Sequence, residues 1–383
     1  MGYQIKIPSC VYSGMGSIED VQTILKQESA KKALVFTDKG VAGAGLLDKL
    51  LAVLERCGVD YQVFDELKPE PAYGDVEAVV EQMNRENGDI IIAIGGGSVM
   101  DASKGIAFAY YNDAPIFDYI YGRRQGGQAL PILLIATTAG TGSEGNWTAV
   151  FTDTDHVKKG FALPALYPRE SIVDPELMTT LSSRGIAGPG FDALAHAIES
   201  FLSVRANPFS KLYSRQAILW LNEGLPKVQA NPSDLETWER VALGSTFAGI
   251  AIGSAGCTAP HGIEHPISGL LNVAHGEGLA AIYPEYMRFM RPHAQADFAE
   301  LARLLGAETS GLTEEEASLC AVEQVDALLK TLEIAFTLSD LGVQESQLDW
   351  LARTALDSMP AVFANNPASM TFDDVKAILE RRL

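Results

Sequence analysis

The segment DIIIAIGGGSVMDASKG, residues 89–105, decides how this chain is read. It is a short apolar run, of strand length, that ends in three glycines and passes into a helical stretch. The same rhythm extends outward on both sides. Upstream, KKALVFTDKG (31–40) reads as a buried strand ending at a turn, and VAGAGLLDKLLAVLERCG (41–58) as a helix stopped by Gly58. VDYQVFDEL (59–67) is a second strand and GDVEAVVEQMNRENG (74–88) a second helix. Downstream, ALPILLIATTAGTGSE (129–144) repeats the strand followed by a loop of small residues. Strands alternating with helices predict a parallel sheet covered on both faces, in which ligands sit at the carboxyl ends of strands. Both small-residue loops fall at such ends. From about Ser182 onward the strand signal vanishes and four long segments carry helical spacing, broken by Gly and Pro. The expected architecture is an α/β Rossmann-like dinucleotide-binding domain over residues 1–181 and an all-α domain over 182–383.

Length agrees, since 383 residues exceed the usual size of one hydrophobic core. A content of 47% hydrophobic and 20% charged residues is that of an ordinary soluble globular protein. The formal net charge of −20 repels phosphate backbones and anionic lipid, so nucleic acid and membrane surfaces are poor partners. No apolar run is long enough to span a bilayer, and the N-terminus lacks the apolar core of a signal peptide. Cys10, Cys57, Cys257 and Cys320 are far apart and form no Cys-x-x-Cys pair, a pattern suited to a reducing cytosol. A cytoplasmic protein is the expectation.

Six histidines are present, and four of them occupy suggestive positions in the helical half. Asp192 and His196, in GFDALAHAIES, are four apart and share one helix face. His261 and His265, in APHGIEHPISG, repeat that spacing, and His275 follows in NVAHGEG. Singly, each is better read as a hydrogen-bonded helix histidine. Together, one carboxylate and several imidazoles make a borderline-hard set suited to Fe²⁺ or Zn²⁺. His156 and His293 lie among polar residues and read as surface histidines.

Gly95, Gly96, Gly97 and Ser98 are not the dinucleotide fingerprint Gly-x-Gly-x-x-Gly, but the mechanics are similar. Glycines let a diphosphate approach the backbone, and the next helix offers N–H groups and the positive end of its dipole. TTAGTGSE (137–144) is a second small, hydroxyl-rich loop, and the two together could hold both sides of a nucleotide. Asp38 ends an early strand, where a carboxylate can accept from ribose hydroxyls or cap a helix.

GGGSVMDASKGIA, TTAGTGSE, DPEL (174–177), GFDALAHAIES and PHGIEHPISG…HGEG stand in the order and spacing of the iron-containing (group III) alcohol dehydrogenases, and the chain resembles that family over nearly its whole length. The resemblance implies a dehydroquinate synthase-like fold, with NAD and one divalent metal, Fe²⁺ or Zn²⁺, as cofactors. It implies metal ligands at Asp192, His196, His261 and His275, with His265 a non-ligating histidine near nicotinamide and substrate, a proton relay. It places Gly95, Gly96, Gly97, Ser98 and Asp101 at the diphosphate, and Thr137, Thr138 and Thr141 in the second cofactor loop. Asp38 matches a position whose acidity goes with NAD over NADP. Lys159 matches a basic residue near the cofactor, with Lys158 the alternative alignment. Phe151, Ile252 and Cys257 are assigned to the substrate pocket, and a homodimer is the family expectation.

Two segments depart from the family pattern, Gly253-Ser254-Ala255-Gly256 and GNWTAVF (145–151), which puts substrate identity more in question than chemistry. HVKKGFALPALYP (156–168) and RANPFSKLYS (205–214) are similar to 4-hydroxybutyrate dehydrogenases of the family. The implied activity is hydride transfer between NAD and a small primary alcohol or its aldehyde. Three other activities belong to related scaffolds. A dehydroquinate synthase-type lyase shares fold and cofactors but needs basic residues around a phosphorylated sugar acid. A maleylacetate-type reductase lacks the ligand set. A filament-forming relative carries an additional aldehyde dehydrogenase half.

Overall fold

The structure, a computed structural model, describes residues 7, 9–68, 71–83, 87–153 and 157–383; His156 lies outside them. The chain divides into two compact units, with the main break between Thr180 and Leu181, and Val157 and Lys158 grouping with the second unit. The first is an α/β layer structure. Its strands are β1 (Cys10–Ser13), β2 (Lys32–Phe36), β3 (Asp60–Phe64), β4 (Ile90–Gly95), β5 (Ile132–Ala136), β6 (Thr148–Thr152), β7 (Lys158–Ala162) and β8 (Glu170–Val173). Six of them form one sheet in the order β1-β8-β5-β4-β2-β3, and every pairing in it is parallel. β6 and β7 form a separate pair. The helices are α1 (Val21–Glu28), α2 (Lys39–Gly43), α3 (Leu46–Cys57), α4 (Tyr73–Met83), α5 (Gly97–Ala109) and α6 (Ile116–Ile120).

Parallel strands buried on both faces need near-continuous apolar sequence, and β4 and β5 supply it: all their residues are buried. Alternate residues feed two cores. Leu34, Phe36, Ile91 and Leu134 point to one face, while Val35, Ile92, Leu133 and Ile135 point to the other. The helix expected over 41–58 is two helices, because Gly45 adopts φ of 74° and breaks the hydrogen-bond ladder between α2 and α3. The edge strand β1, its neighbour β8 and the β6–β7 pair carried no signal strong enough to be expected.

Register places the two small-residue loops side by side. Gly95 at the end of β4 is opposite Ala136 at the end of β5, so GGGS and TTAGTGSE leave adjacent strands at the same level. A Cβ at Gly96 would lie 3.1 Å from Thr138 Oγ1, and one at Gly97 only 2.3 Å from Thr141 Cγ2. The loops interlock, and glycine is what lets them.

Lys104 of α5 fastens the second loop from beneath. Its side chain is fully buried, and Nζ donates to Ser143 O and Oγ at 2.7 Å, Thr148 O at 2.8 Å and Asn146 O at 3.0 Å. Burial lowers its pKa to about 8, against the raising influence of the Asp101 and Glu144 charges. Lys104→Met would leave those oxygens without their donor and Asp101 without its counter-charge. It is expected to cost about 3–5 kcal/mol, as for one partner of a buried ionic group, read as a lowered midpoint in denaturant unfolding.

The second unit is helical: α7 (Ser183–Leu202), α8 (Pro208–Ala230), α9 (Leu235–Ala255), α10 (Ala259–Leu271), α11 (His275–Met290), α12 (Gln295–Leu304), α13 (Glu314–Thr331), α14 (Leu348–Ser358), α15 (Pro360–Ala364) and α16 (Phe372–Arg382). No single described helix is long and apolar enough to cross a membrane.

Candidate metal centre and cofactor loops

Three helices of the second unit bring the histidines together. α7 starts at Ser182, whose hydroxyl accepts from Gly185 N–H at 3.1 Å, and one turn apart on its buried face stand Asp192 and His196. α10 carries His261 and His265 on successive turns, and α11 begins at His275 itself. The approach of α11 to α7 depends on Gly276: a Cβ there would lie 2.1 Å from Gly188 O, so only glycine allows this backbone contact. Asp192, His196, His261 and His265 are at most 6% exposed.

Asp192 Oδ1 is the point of convergence. It lies 3.3 Å from His261 Nε2, 3.5 Å from His275 Nε2 and 3.7 Å from His196 Nε2. Asp192, His261 and His275 offer ligand atoms within 4.8 Å of one another, with His196 beside them, and one carboxylate with imidazoles is donor chemistry that fits a divalent metal. The ring planes of His196 and His261 stack at 4.4 Å, as two ligands of one ion can.

Two residues that the sequence reading passed over set the ring orientations. Glu199 Oε1 lies 2.8 Å from His261 Nδ1, and Glu264 Oε2 hydrogen-bonds His275 Nδ1. Both carboxylates are fully buried. A carboxylate at Nδ1 holds the proton there and turns Nε2 toward the ion. Glu199 also accepts the Thr258 N–H at 2.8 Å at the head of α10, so one side chain braces the helix and its histidine together. The only clue in the sequence was proximity, Glu199 three residues after His196 and Glu264 three after His261. The pairing is crossed, with α7 serving α10 and α10 serving α11, and spacing cannot show that.

The charges are mutually supporting. Burial works against the Asp192 carboxylate, but His196, His275 and hydrogen bonds from His261 and His275 outweigh it and hold Asp192 well below the usual range. Burial likewise opposes protonation of His261 and His275. Glu199 with Asp192 raises the first to about 10, and Glu264 with Asp192 raises the second to about 9. His265 goes the other way: burial, then the positive charges of His275, Lys158 and His261, push it well below the ordinary imidazole value. Burial, then Glu199 and Asp192, raise the Cys257 thiol.

In the α/β unit, Gly96, Gly97 and Ser98 form the entry to α5, and Thr138 and Thr141 stand half-buried beside them. Thr137 is buried, its N–H bonded to Gly95 O. Asp101, expected beside the diphosphate loop, has both carboxylate oxygens engaged. Oδ1 accepts from Ser143 Oγ at 2.7 Å and Oδ2 from Val150 N at 2.8 Å, so it braces the second loop instead. Asp38 caps α2, accepting from Val41 N through Oδ1 at 2.9 Å, while Oδ2 has no hydrogen bond among the described residues. Lys159 lies over the Tyr121 ring at 4.3 Å; Lys158 is only 3% exposed and is the one whose charge reaches His265. Phe151, expected at the pocket, is fully buried in the α/β core against Gly105 and Tyr73, a packing residue. Ile252 and Cys257 are partly buried at the end of α9 and in the turn after it. His293 is exposed, as a surface histidine should be.

Glu264→Ala is expected to weaken divalent metal binding about 10- to 100-fold in chelator competition, with Glu264→Gln intermediate. In metal-free protein the raised His261 and His275 keep protons at neutral pH, and an incoming ion must displace them. Affinity therefore tightens as pH rises from 6.5 toward 9, with proton release measurable by titration in buffers of different ionisation heat.

Comparison with known proteins identifies the family. Residues 8–175 match the family model for iron-containing alcohol dehydrogenase, and residues 186–383 that for the C-terminal part of the Fe-containing alcohol dehydrogenase family. An NAD-dependent methanol dehydrogenase of Bacillus methanolicus is 33% identical over 98% of this chain and 99% of its own length. A crystal structure of a 1,3-propanediol oxidoreductase superposes with a TM-score of 0.95 at 30% identity, covering 100% of both chains. A sulfoacetaldehyde reductase from Bifidobacterium kashiwanohense, in complex with NAD⁺, superposes with a TM-score of 0.89 at 25% identity over 100% of this chain and 99% of that one. The chain belongs to the iron-containing alcohol dehydrogenase family.

Proposed function

We propose that this protein is an NAD-dependent alcohol dehydrogenase and aldehyde reductase for small primary alcohols, with residues 1–181 as the dinucleotide-binding domain and 182–383 as the metal-binding catalytic domain. The observation that carries it is the convergence of three imidazole Nε2 atoms on Asp192 Oδ1 at 3.3–3.7 Å. Asp192, His196, His261 and His275 would hold one Fe²⁺ or Zn²⁺, which supplies Lewis acidity toward an alcohol or carbonyl oxygen, while NAD supplies the hydride acceptor.

The chain's own residues do the rest. The Gly96–Ser98 entry to α5 receives the diphosphate on helix N–H groups, and the interlocked Thr138 and Thr141 close the other side. Asp38 keeps Oδ2 for the ribose hydroxyls and repels a 2′-phosphate. Lys158, rather than Lys159, is the better placed basic residue. His265 is held neutral by burial and positive neighbours, and its buried Nδ1 has no hydrogen-bond partner among the described residues, so it would pass on the alcohol proton as a relay rather than keep it. Ile252 and Cys257 border the substrate.

4-Hydroxybutyrate is the finer reading of the substrate, supported by the similarity of residues 156–168 and 205–214 to 4-hydroxybutyrate dehydrogenases. The relatives reported above are a dehydrogenase, an oxidoreductase and a reductase, which does not favour the lyase reading. A cytoplasmic homodimer is the form proposed.

NADH formation with ethanol, butanol, 1,2-propanediol and 4-hydroxybutyrate, on chelated and then Fe²⁺- or Zn²⁺-reconstituted protein, tests the reading. Metal-restored turnover of one of them is expected, and His275→Ala should lose both metal and turnover. A His275→Ala protein with unchanged metal content and rate would refute the ligand assignment. Separately, Asp38→Gly is expected to reduce the preference for NAD over NADP at least tenfold in kcat/KM, because the carboxylate that repels a 2′-phosphate is gone; an unchanged ratio removes Asp38 from the cofactor site.

A further inference from the structure

The helical unit holds a second set of metal-binding atoms that overlaps the first. Cys257 stands in the turn between α9 and α10, four residues before His261. Its sulfur, a ring nitrogen of His196 and a ring nitrogen of His261 all lie within 4.8 Å of one another. Among the described residues no other cysteine joins such a group.

The turn is built to hold the thiol there. Gly256 adopts φ of 74° at the end of α9, and a Cβ on it would lie 2.6 Å from Asn365 Nδ2. Asn365 Nδ2 donates to Cys257 O at 2.9 Å, and Thr258 on the far side is held by Glu199. The thiol itself makes no hydrogen bond among the described residues.

The two sets differ in softness. Asp192 with three imidazoles is a nitrogen and oxygen set that accepts Fe²⁺. Replacing the carboxylate by a thiolate gives a set that prefers thiophilic ions such as Zn²⁺. His196 and His261 belong to both, so an ion drawn to sulfur moves along the shared pair away from Asp192 and His275.

We propose that His196, Cys257 and His261 form a thiophilic metal site that competes with Asp192 and His275 for the shared imidazoles and biases the protein toward Zn²⁺. The step would be a ligand exchange without redox change: a metal–sulfur bond would form as the bond to Asp192 or His275 breaks, and the thiol S–H would release its proton to solvent. It rests on the reading that His196 and His261 hold a metal.

Co²⁺ added to metal-free full-length protein separates the two claims. The expected result is visible d–d bands together with a near-ultraviolet thiolate-to-cobalt charge-transfer band. Cys257→Ser should abolish the charge-transfer band, keep the d–d bands and lower the Zn²⁺:Fe²⁺ affinity ratio at least tenfold under anaerobic competition, while Cys320→Ser changes none of these. X-ray absorption of the Zn²⁺-loaded wild-type protein needs no variant, and should show a sulfur scatterer at about 2.3 Å. Visible bands without charge transfer, a charge-transfer band that survives in Cys257→Ser, or zinc with only nitrogen and oxygen neighbours would overturn the proposal and leave the metal reading standing. No cobalt bands of any kind would overturn both.

Discussion

Burying Asp192, Glu199 and Glu264 among four imidazoles is the constraint on which the helical unit depends. An isolated buried charge costs several kcal/mol, and it is tolerated only where partners stand at hydrogen-bond distance. Here each carboxylate finds an imidazole on a neighbouring helix: Asp192 and Glu199 of α7 face His261 of α10, and Glu264 of α10 faces His275 of α11. The network therefore joins three helices through contacts that cannot be loosened one at a time. It also explains the split in protonation, since His261 and His275, hydrogen-bonded to carboxylates, are raised, while His265 is lowered by burial and then by the charges of His275, Lys158 and His261, which outweigh Asp192.

Close backbone approach makes that network reachable. The contact of Gly276 with Gly188 O brings the first turn of α11 against α7, and Arg184 of α7 ties the same turn through both oxygens of Glu277. Gly190 plays the corresponding part toward α8, where a Cβ would lie 2.2 Å from Leu225. The α/β unit uses the same device at its own site, with Gly96 and Gly97 admitting Thr138 and Thr141. In both units the positions that carry chemistry are aimed by residues that carry none.

Asp101 and Lys104 show how a site residue and a structural residue are confused when read in one dimension. Both follow the glycine loop by a few positions, where a charge invites a role at the cofactor. In the fold they point down into the core and hold the second loop, with Asp101 taking Ser143 Oγ and Val150 N and Lys104 taking the carbonyls around them. Phe151 is a similar case, an aromatic side chain next to a departure from the family pattern that fills the space above Gly105.

Local chemistry wrote much of this protein into its sequence. Apolar runs ending in glycine marked β4 and β5, because strands covered on both faces admit few polar residues, and the spacing of Asp192 with His196 and of His261 with His265 put each pair on one helix face. The order of motifs carried the family, and with it the proposed ligand set. Short edge strands such as β1 left little trace, because four residues with mixed burial have no distinctive period. What tertiary structure alone decided is which elements meet: that Glu199 serves His261 rather than the neighbouring His196, that Glu264 serves His275, and that Cys257 comes within reach of two imidazoles. Periodicity reports the face a residue occupies, and the partner across that face is set by helix packing, which no spacing along one chain segment encodes.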